Sequence, residues 1–149
     1  MKITIGSDHG AVALKDEVKL VLKELGNIEV TDVGTFGTDS VDYPDIAQKV
    51  CADVTSCKAD RGIVLCGTGL GISIAANKIK GIRCALCHDV YSARMSREHN
   101  DANVLAMGGR VIGLGHAAEI VRVWINSSFV GGRHERRLNK IAALEKANK

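Results

Sequence analysis

The chain has 149 residues, 46% hydrophobic and 25% charged, with a net charge of +3; that suffices for one domain with a real core and is too apolar for disorder. So mild a positive charge, with only two Phe, two Tyr and one Trp, excludes a nucleic-acid surface, which needs cationic stripes and stacking platforms. No apolar run reaches the roughly 20 residues that cross a bilayer, and five cysteines (51, 57, 66, 84 and 87) without an export signal point to reduced thiols in the cytosol.

The first strand is expected over residues 3–6, so close to Met1 that no signal peptide precedes it. Leu14, Val18, Val21, Leu22 and Leu25 then recur at helical spacing until Gly26 ends the helix. Residues 28–33 read as the second strand. A loop carrying Tyr43 and Pro44, the only proline, leads into a helix over 45–55. Ile63, Val64 and Leu65 centre a third strand at 62–66, with its helix over 71–78. The fourth strand is expected at 82–87, and Asp89 caps a helix running to about residue 99. Residues 103–107 make the fifth strand. A helix follows over 115–126, carrying Ile120, Val121, Trp124 and Ile125. Gly131-Gly132 breaks the chain before a last basic helix from about His134.

Strict strand–helix alternation with apolar strands predicts a three-layer α/β/α, Rossmann-like sandwich: a five-stranded parallel sheet with right-handed crossovers and helices on both faces. Residues 1–149 read as one domain. The last helix has no strand of its own, so it either packs on the domain or reaches a second subunit.

Ligands of such sheets bind beyond the carboxyl ends of the strands. That rule brings together Asp8-His9 after the first strand, Cys66 to Gly71 after the third, and His88-Asp89 after the fourth. Cys66 ends an apolar strand, glycines follow at 67, 69 and 71, and a helix begins at once. Glycines let backbone N–H groups turn toward an anion, and a helix start adds unpaired N–H groups and roughly half a positive charge. A thiol in that field gives up its proton readily. The segment therefore offers a base or nucleophile beside a cradle for negative oxygen, although a glycine loop alone can be a structural turn and a lone thiol a buried bystander.

Other patterns fit less well. The third glycine falls one residue early for a dinucleotide fingerprint, and no Gly-Lys-Ser/Thr completes a P-loop. Cys84-Ala-Leu-Cys87-His88 matches the c-type haem attachment pattern, but residues three apart on a strand face opposite sides. No second cysteine pair completes a zinc site. His99-Asn100, by pattern alone, fits a helix end with Asn100 as a left-handed cap. Arg133 and Arg137 lie one turn apart on the last helix, where cations oppose the dipole. A phosphate held between two guanidinium forks would explain them, with Arg110 as a third contact.

Together, Gly6-Ser-Asp-His-Gly10, Asp42-Tyr-Pro-Asp45, the run from Cys66 to Lys78, the run from Ser96 to Ala106, and Gly131-Gly-Arg-His134 resemble the B-type ribose-5-phosphate isomerases. These belong to a wider family that includes galactose-6-phosphate and allose-6-phosphate isomerases. The motifs run in the same order from near residue 3 to about 145. The resemblance implies that Cys66 is the base moving a proton between C1 and C2 through an enediolate. Thr68 and the backbone of Gly67, Gly69, Leu70 and Gly71 would steady the enediolate oxygens. It further implies that His99 opens the sugar ring, that Asp8 positions the sugar with Tyr43 in the binding set, and that His9, Arg133 and Arg137 take the phosphate or nearby hydroxyls. Asn100 and Arg110 would contribute from the facing side.

The same resemblance implies a homodimer, or a dimer of dimers, with the active site shared between subunits, and no metal or organic cofactor. No acid lies between Gly67 and Asn77, which places the chain in the branch that uses cysteine; Ala11 stands where a second glycine is frequent. Three alternatives stay open. The substrate could be a six-carbon sugar phosphate, the chain a non-catalytic phosphosugar-binding module, or Cys66 a covalent nucleophile in a thiol hydrolase.

Overall fold

Strands buried on both faces must be apolar at every position, and two strands here meet that condition over nearly their whole length: β3 (Arg61–Cys66) and β5 (Val104–Gly108). The computed structural model describes residues 1–148. Around these strands the chain builds β1 (Lys2–Ser7), a short 3-10 turn (His9–Ala11), α1 (Val12–Leu25), β2 (Glu29–Asp32) and α2 (Tyr43–Thr55). After β3 come α3 (Leu70–Asn77), β4 (Cys84–Leu86) and α4 (Val90–Glu98); after β5 come α5 (Leu114–Asn126) and α6 (Arg133–Ala147). All five strands are parallel, in the order β2-β1-β3-β5-β4. The expected α/β/α sandwich with its additional C-terminal helix is the observed fold.

The alternation of side chains along the strands divides the core into two layers. Ile3, Ile5, Ile63, Leu65, Leu105 and Met107 pack with residues of α1, α4 and α5 on one face. Val64, Cys66, Val104 and Ala106 pack with residues of α2 and α3 on the other. Cys87 belongs to the first layer and Cys84 packs against the second, so the two thiols of the haem-like pattern do face opposite sides. Burial pushes the Cys51 and Cys87 thiols up to about 11, and Cys84 higher still. They are core residues.

Local chemistry sets where the elements begin and end. Gly26, at φ +74°, terminates α1. Pro44 in the first turn of α2 is preorganised for a helix start, and α2 begins at Tyr43, two residues earlier than expected. Asp89 accepts the Ser92 N–H at 2.7 Å and caps α4. β4 is shorter than expected: just before it, the Arg83 N–H donates to the Asn103 carboxamide oxygen at 2.8 Å instead of to a strand carbonyl. On the outer side of β4 the Asn77 carboxamide accepts the Cys84 N–H at 2.8 Å and donates to the Cys84 carbonyl at 2.9 Å. That side chain occupies the outer edge of the sheet where another strand could otherwise add.

Among the described residues, one charged side chain is completely buried. Lys15 donates from Nζ to Asp32 at 2.9 Å and to the Thr35 carbonyl at 2.5 Å, and lies 4.3 Å from the centre of the Phe36 ring. Lys19 shares the same carboxylate at 2.8 Å. Burial raises the Asp32 pKa, but hydrogen bonds from Lys19 and Lys15 outweigh it and hold the carboxyl below its ordinary value. This knot ties α1 to the end of β2. Asp32→Ala would leave the Lys15 ammonium buried without a counter-charge, so urea unfolding is expected to show a loss of about 3 kcal/mol. Lys15→Met removes the buried charge itself and leaves Asp32 paired with Lys19, so it should cost less.

The last helix stands apart. His134 is the one buried residue of α6, and Ile141 and Leu144 are exposed. Leu138, Ile141 and Leu144 line a groove of about 850 Å³ whose other wall carries Ile82, Cys84, Ala85 and Asn100. The groove therefore runs beside the β4 edge of the sheet.

Candidate active site

Cys66 is the last residue of β3, only 4% exposed, and its Sγ accepts the Gly69 N–H at 3.1 Å. The donor is in place because Gly69 adopts φ +76°, a region L side chains rarely enter. There is no room for a side chain either: a Cβ on Gly69 would sit 2.6 Å from Leu86 and 2.8 Å from the Met107 carbonyl carbon. Thr68 is exposed, and its hydroxyl accepts the Leu70 N–H at 3.2 Å at the start of α3. A thiol thus meets a backbone donor and a helix N-terminus at one point on the carboxyl edge of the sheet.

Residues from three other elements close around that point. Asp8, nearly buried, accepts the Gly10 N–H at 2.9 Å and caps the turn after β1. Gly10 abuts the loop, for a Cβ there would lie 3.1 Å from the Gly67 nitrogen. His9 accepts the Val41 N–H on Nδ1 at 3.2 Å and so ties the segment between β2 and α2 to this edge. The Tyr43 ring lies against Gly71, where a Cβ would come within 2.6 Å of its Cζ. The Arg110 guanidinium lies over Gly67, with Nη1 3.1 Å from where a Cβ would stand, and its backbone N–H donates to the Gly67 carbonyl at 2.9 Å. Asp8, His9, Tyr43, Gly67 to Gly71 and Arg110 therefore share one site with Cys66.

The remaining candidates do not join them. β4 and β5 are parallel, so α4 must carry the chain back across the sheet, and it ends at His99 on the amino edge. α5 returns the chain likewise, and the segment after it is held there by the Val130 N–H donating to the Glu98 carbonyl at 3.0 Å. α6 starts at this edge, bringing Arg133 and Arg137. The His99 and His134 rings stack with centroids 4.0 Å apart and planes 9° from parallel. Strands of five or six residues span roughly 15–20 Å. That is the order of separation between Cys66 and the group formed by His99, Asn100, Arg133 and Arg137. One chain brings together two half-sets, not one complete site.

The amino-edge group has a support that sequence reasoning missed. Asp101, rather than Asn100, takes the left-handed conformation (φ +44°). Its carboxylate accepts from Arg97 at 2.9 Å and from Arg83 at 3.2 Å, and Arg83 also donates to the Asn100 carbonyl at 3.0 Å. Arg97 and Asp101 stand one helical turn apart, a legible spacing; Arg83 is distant in sequence and gave no signal. His134 was visible only as the last letter of the Gly131–His134 motif, and its stacking on His99 needed the fold.

Burial, followed by the nearby charges of His99, Arg133 and Arg137, lowers the His134 pKa below its ordinary 6.5. A histidine lowered in the folded state favours folding while neutral, and this contribution is lost as pH falls from about 6.5 toward the folded value. The first turn of α6 is therefore expected to loosen below about pH 6.5. Cleavage near Gly131-Gly132 by a pH-tolerant protease should rise over that range in the parent and stay flat in His134→Gln. Among the described residues, no helix is long and apolar enough to cross a membrane. Nor do three or more His, Cys, Asp or Glu side chains cluster as a metal site would require.

Comparison with known proteins identifies the family. The family model described as Ribose/Galactose Isomerase matches residues 3–141. Ribose-5-phosphate isomerase B of Escherichia coli is 49% identical over 144 residues, covering 97% of this chain and 96% of that protein. A D-erythrulose-4-phosphate isomerase of Pectobacterium atrosepticum is 41% identical over 150 residues, covering 100% of this chain and 98% of that one. The solved structure of ribose-5-phosphate isomerase B from Clostridium thermocellum superposes with a TM-score of 0.97 at 58% identity, with 100% of both chains covered. With the match spanning both half-sets and the whole sheet between them, the chain belongs to the ribose/galactose isomerase family.

Proposed function

We propose that this chain interconverts D-ribose 5-phosphate and D-ribulose 5-phosphate in the cytosol, acting as a homodimer whose sites each combine the Cys66 half-set of one subunit with the His99 half-set of its partner. The observation that carries the reading is the Gly69 N–H donated to the Cys66 sulfur at the head of α3. Aldose–ketose isomerisation moves a proton between adjacent carbons and leaves negative charge on oxygen. It therefore needs a base beside preorganised donors.

In this reading Cys66 takes the C2 proton of the open-chain aldose and returns it to C1, while Thr68 and the N–H groups of Gly67 to Gly71 hold the enediolate oxygens. Asp8 orients the sugar hydroxyls and Tyr43 borders the cradle. His99 moves the proton that opens the furanose ring. His9, Arg133 and Arg137 bind the phosphate end, and Asn100 and Arg110 complete the cavity. Remote phosphate binding steadies the reacting carbons through contacts that do not themselves react. The exposed apolar residues of α6 support a role for that helix in pairing the subunits.

The substrate's length is the part most open to test, because relatives of this chain are named for four-carbon as well as five-carbon sugar phosphates. Comparison of kcat/KM for D-ribose 5-phosphate, D-erythrulose 4-phosphate, allose 6-phosphate and galactose 6-phosphate is expected to favour ribose 5-phosphate by at least about tenfold, the discrimination a pocket makes over a missing or extra carbon unit. A higher value for any other sugar would reassign the substrate and leave the chemistry in place.

A further inference from the structure

β4 ends before its ladder with β5 is complete. The Cys87 N–H still donates to the Ala106 carbonyl at 3.1 Å, but the chain then turns into α4. The next N–H on β5, that of Gly108, meets a side chain where a strand carbonyl would otherwise stand: His88 accepts it on Nε2 at 3.0 Å. An imidazole has taken the place of a strand.

Gly108 is tightly coupled to the thiol loop. It is paired with Cys66 in the β3–β5 register. A Cβ on Gly108 would lie 2.5 Å from both the carbonyl carbon and oxygen of Thr68, and one on Gly69 would lie 3.0 Å from the Gly108 nitrogen. The Gly109 N–H donates to the Cys66 carbonyl and the Arg110 N–H to the Gly67 carbonyl, each at 2.9 Å. Residues 108–110 are thus a shelf on which Cys66 to Gly69 lies, and contacts this close pass a small displacement on.

We propose that His88 is a positioning residue for the isomerisation: by accepting the Gly108 N–H, it holds the shelf that sets Thr68 and Gly69 against Cys66. The inference rests on the reading of Cys66 to Gly71 as the enediolate cradle. An acceptor at Nε2 places the ring's proton on Nδ1. A second proton would set two N–H groups facing each other and release the shelf. Burial holds the His88 pKa below its ordinary value; of the charges around it, Asp89 at the head of α4 raises it and His116 on α5 lowers it. In this role His88 acts through Gly108 rather than on the substrate, so its protonation alters turnover and leaves the phosphate contacts alone.

His88→Leu removes the acceptor, whereas His88→Gln keeps an oxygen at similar reach and cannot take a proton. With D-ribose 5-phosphate from about pH 5.5 to 8.5, His88→Leu should lower kcat on the order of tenfold or more, the scale of a small misplacement in a preorganised site, with KM little changed. His88→Gln should recover most of the loss at neutral pH and lose a step from the acid-side fall in kcat. Parental kcat in His88→Leu, equal damage in the two variants, or an unaltered acid limb in His88→Gln would each overturn the proposal. Should His88→Leu fail to fold, the acid limb of His88→Gln decides alone. Cys66→Ala and Thr68→Ala run beside them: parental kcat in both would overturn the cradle reading itself, whichever way His88 falls.

Discussion

Cys66→Ala and His99→Asn, each inactive alone, are expected to regain about a quarter of parental activity when unfolded together and refolded as an equal mixture. The expectation follows from the sheet. Cys66 ends β3 at the carboxyl edge, whereas α4 returns the chain and leaves His99 at the amino edge. A single subunit cannot bring them together across the length of a strand. In a two-fold dimer, a heterodimer of the two variants has one site with both lesions and one with neither. Random pairing makes about half the dimers heterodimers, so about a quarter of all sites are intact. Activity should appear only after mixing and refolding, and should be absent from each variant treated alone. A mixture that stays inactive while eluting as a dimer would show that Cys66 and His99 do not serve one shared site.

The second large effect is at the thiol itself. Cys66→Ala should lower kcat for ribose 5-phosphate by about 10³-fold or more, within the range general acid–base groups contribute. Binding of the sugar phosphate, measured by calorimetry, should change little if, as proposed, the clamp residues hold the phosphate at the far end of the sugar from C1 and C2. Stability should fall only modestly, since the change removes one small sulfur from a buried position. The same variant separates the rival readings. Retained turnover would remove Cys66 from the role of base, and a covalent adduct trapped on the parental thiol during turnover would favour a nucleophile. Arg137→Ala should behave in the opposite way, raising KM more than it lowers kcat, because it removes binding made in both ground and transition states.

Much of this molecule was legible before any coordinates. The alternation of apolar strands and helices specified a parallel sheet, and the rule for carboxyl edges brought Asp8, Cys66 and His88 to the same rim. Cys84 and Cys87 were assigned to opposite faces from strand periodicity alone. Boundaries were less exact where side chains competed with the backbone. The Asn103 carboxamide takes the Arg83 N–H and β4 is half the expected length; Pro44 starts α2 early. The left-handed residue after α4 is Asp101 rather than Asn100, because Arg83 and Arg97 hold its carboxylate in place.

The sequence by itself determined the family, through motifs in a fixed order along nearly the whole chain. It also determined the fold class and the thiol loop, since these depend on relations among residues close along the chain: periodicity, glycine conformation and a helix start directly after a strand. Only the tertiary structure decided that the recognised residues form two separate groups. That division depends on which edge of the sheet each helix returns to and on the strand order β2-β1-β3-β5-β4, neither of which periodicity carries. It also depends on contacts between residues far apart in sequence, such as His99 on His134 and His88 under Gly108. Strand order places the donor of Gly108 beside an unfinished ladder, and burial makes an unpaired N–H there costly enough that a histidine must answer it.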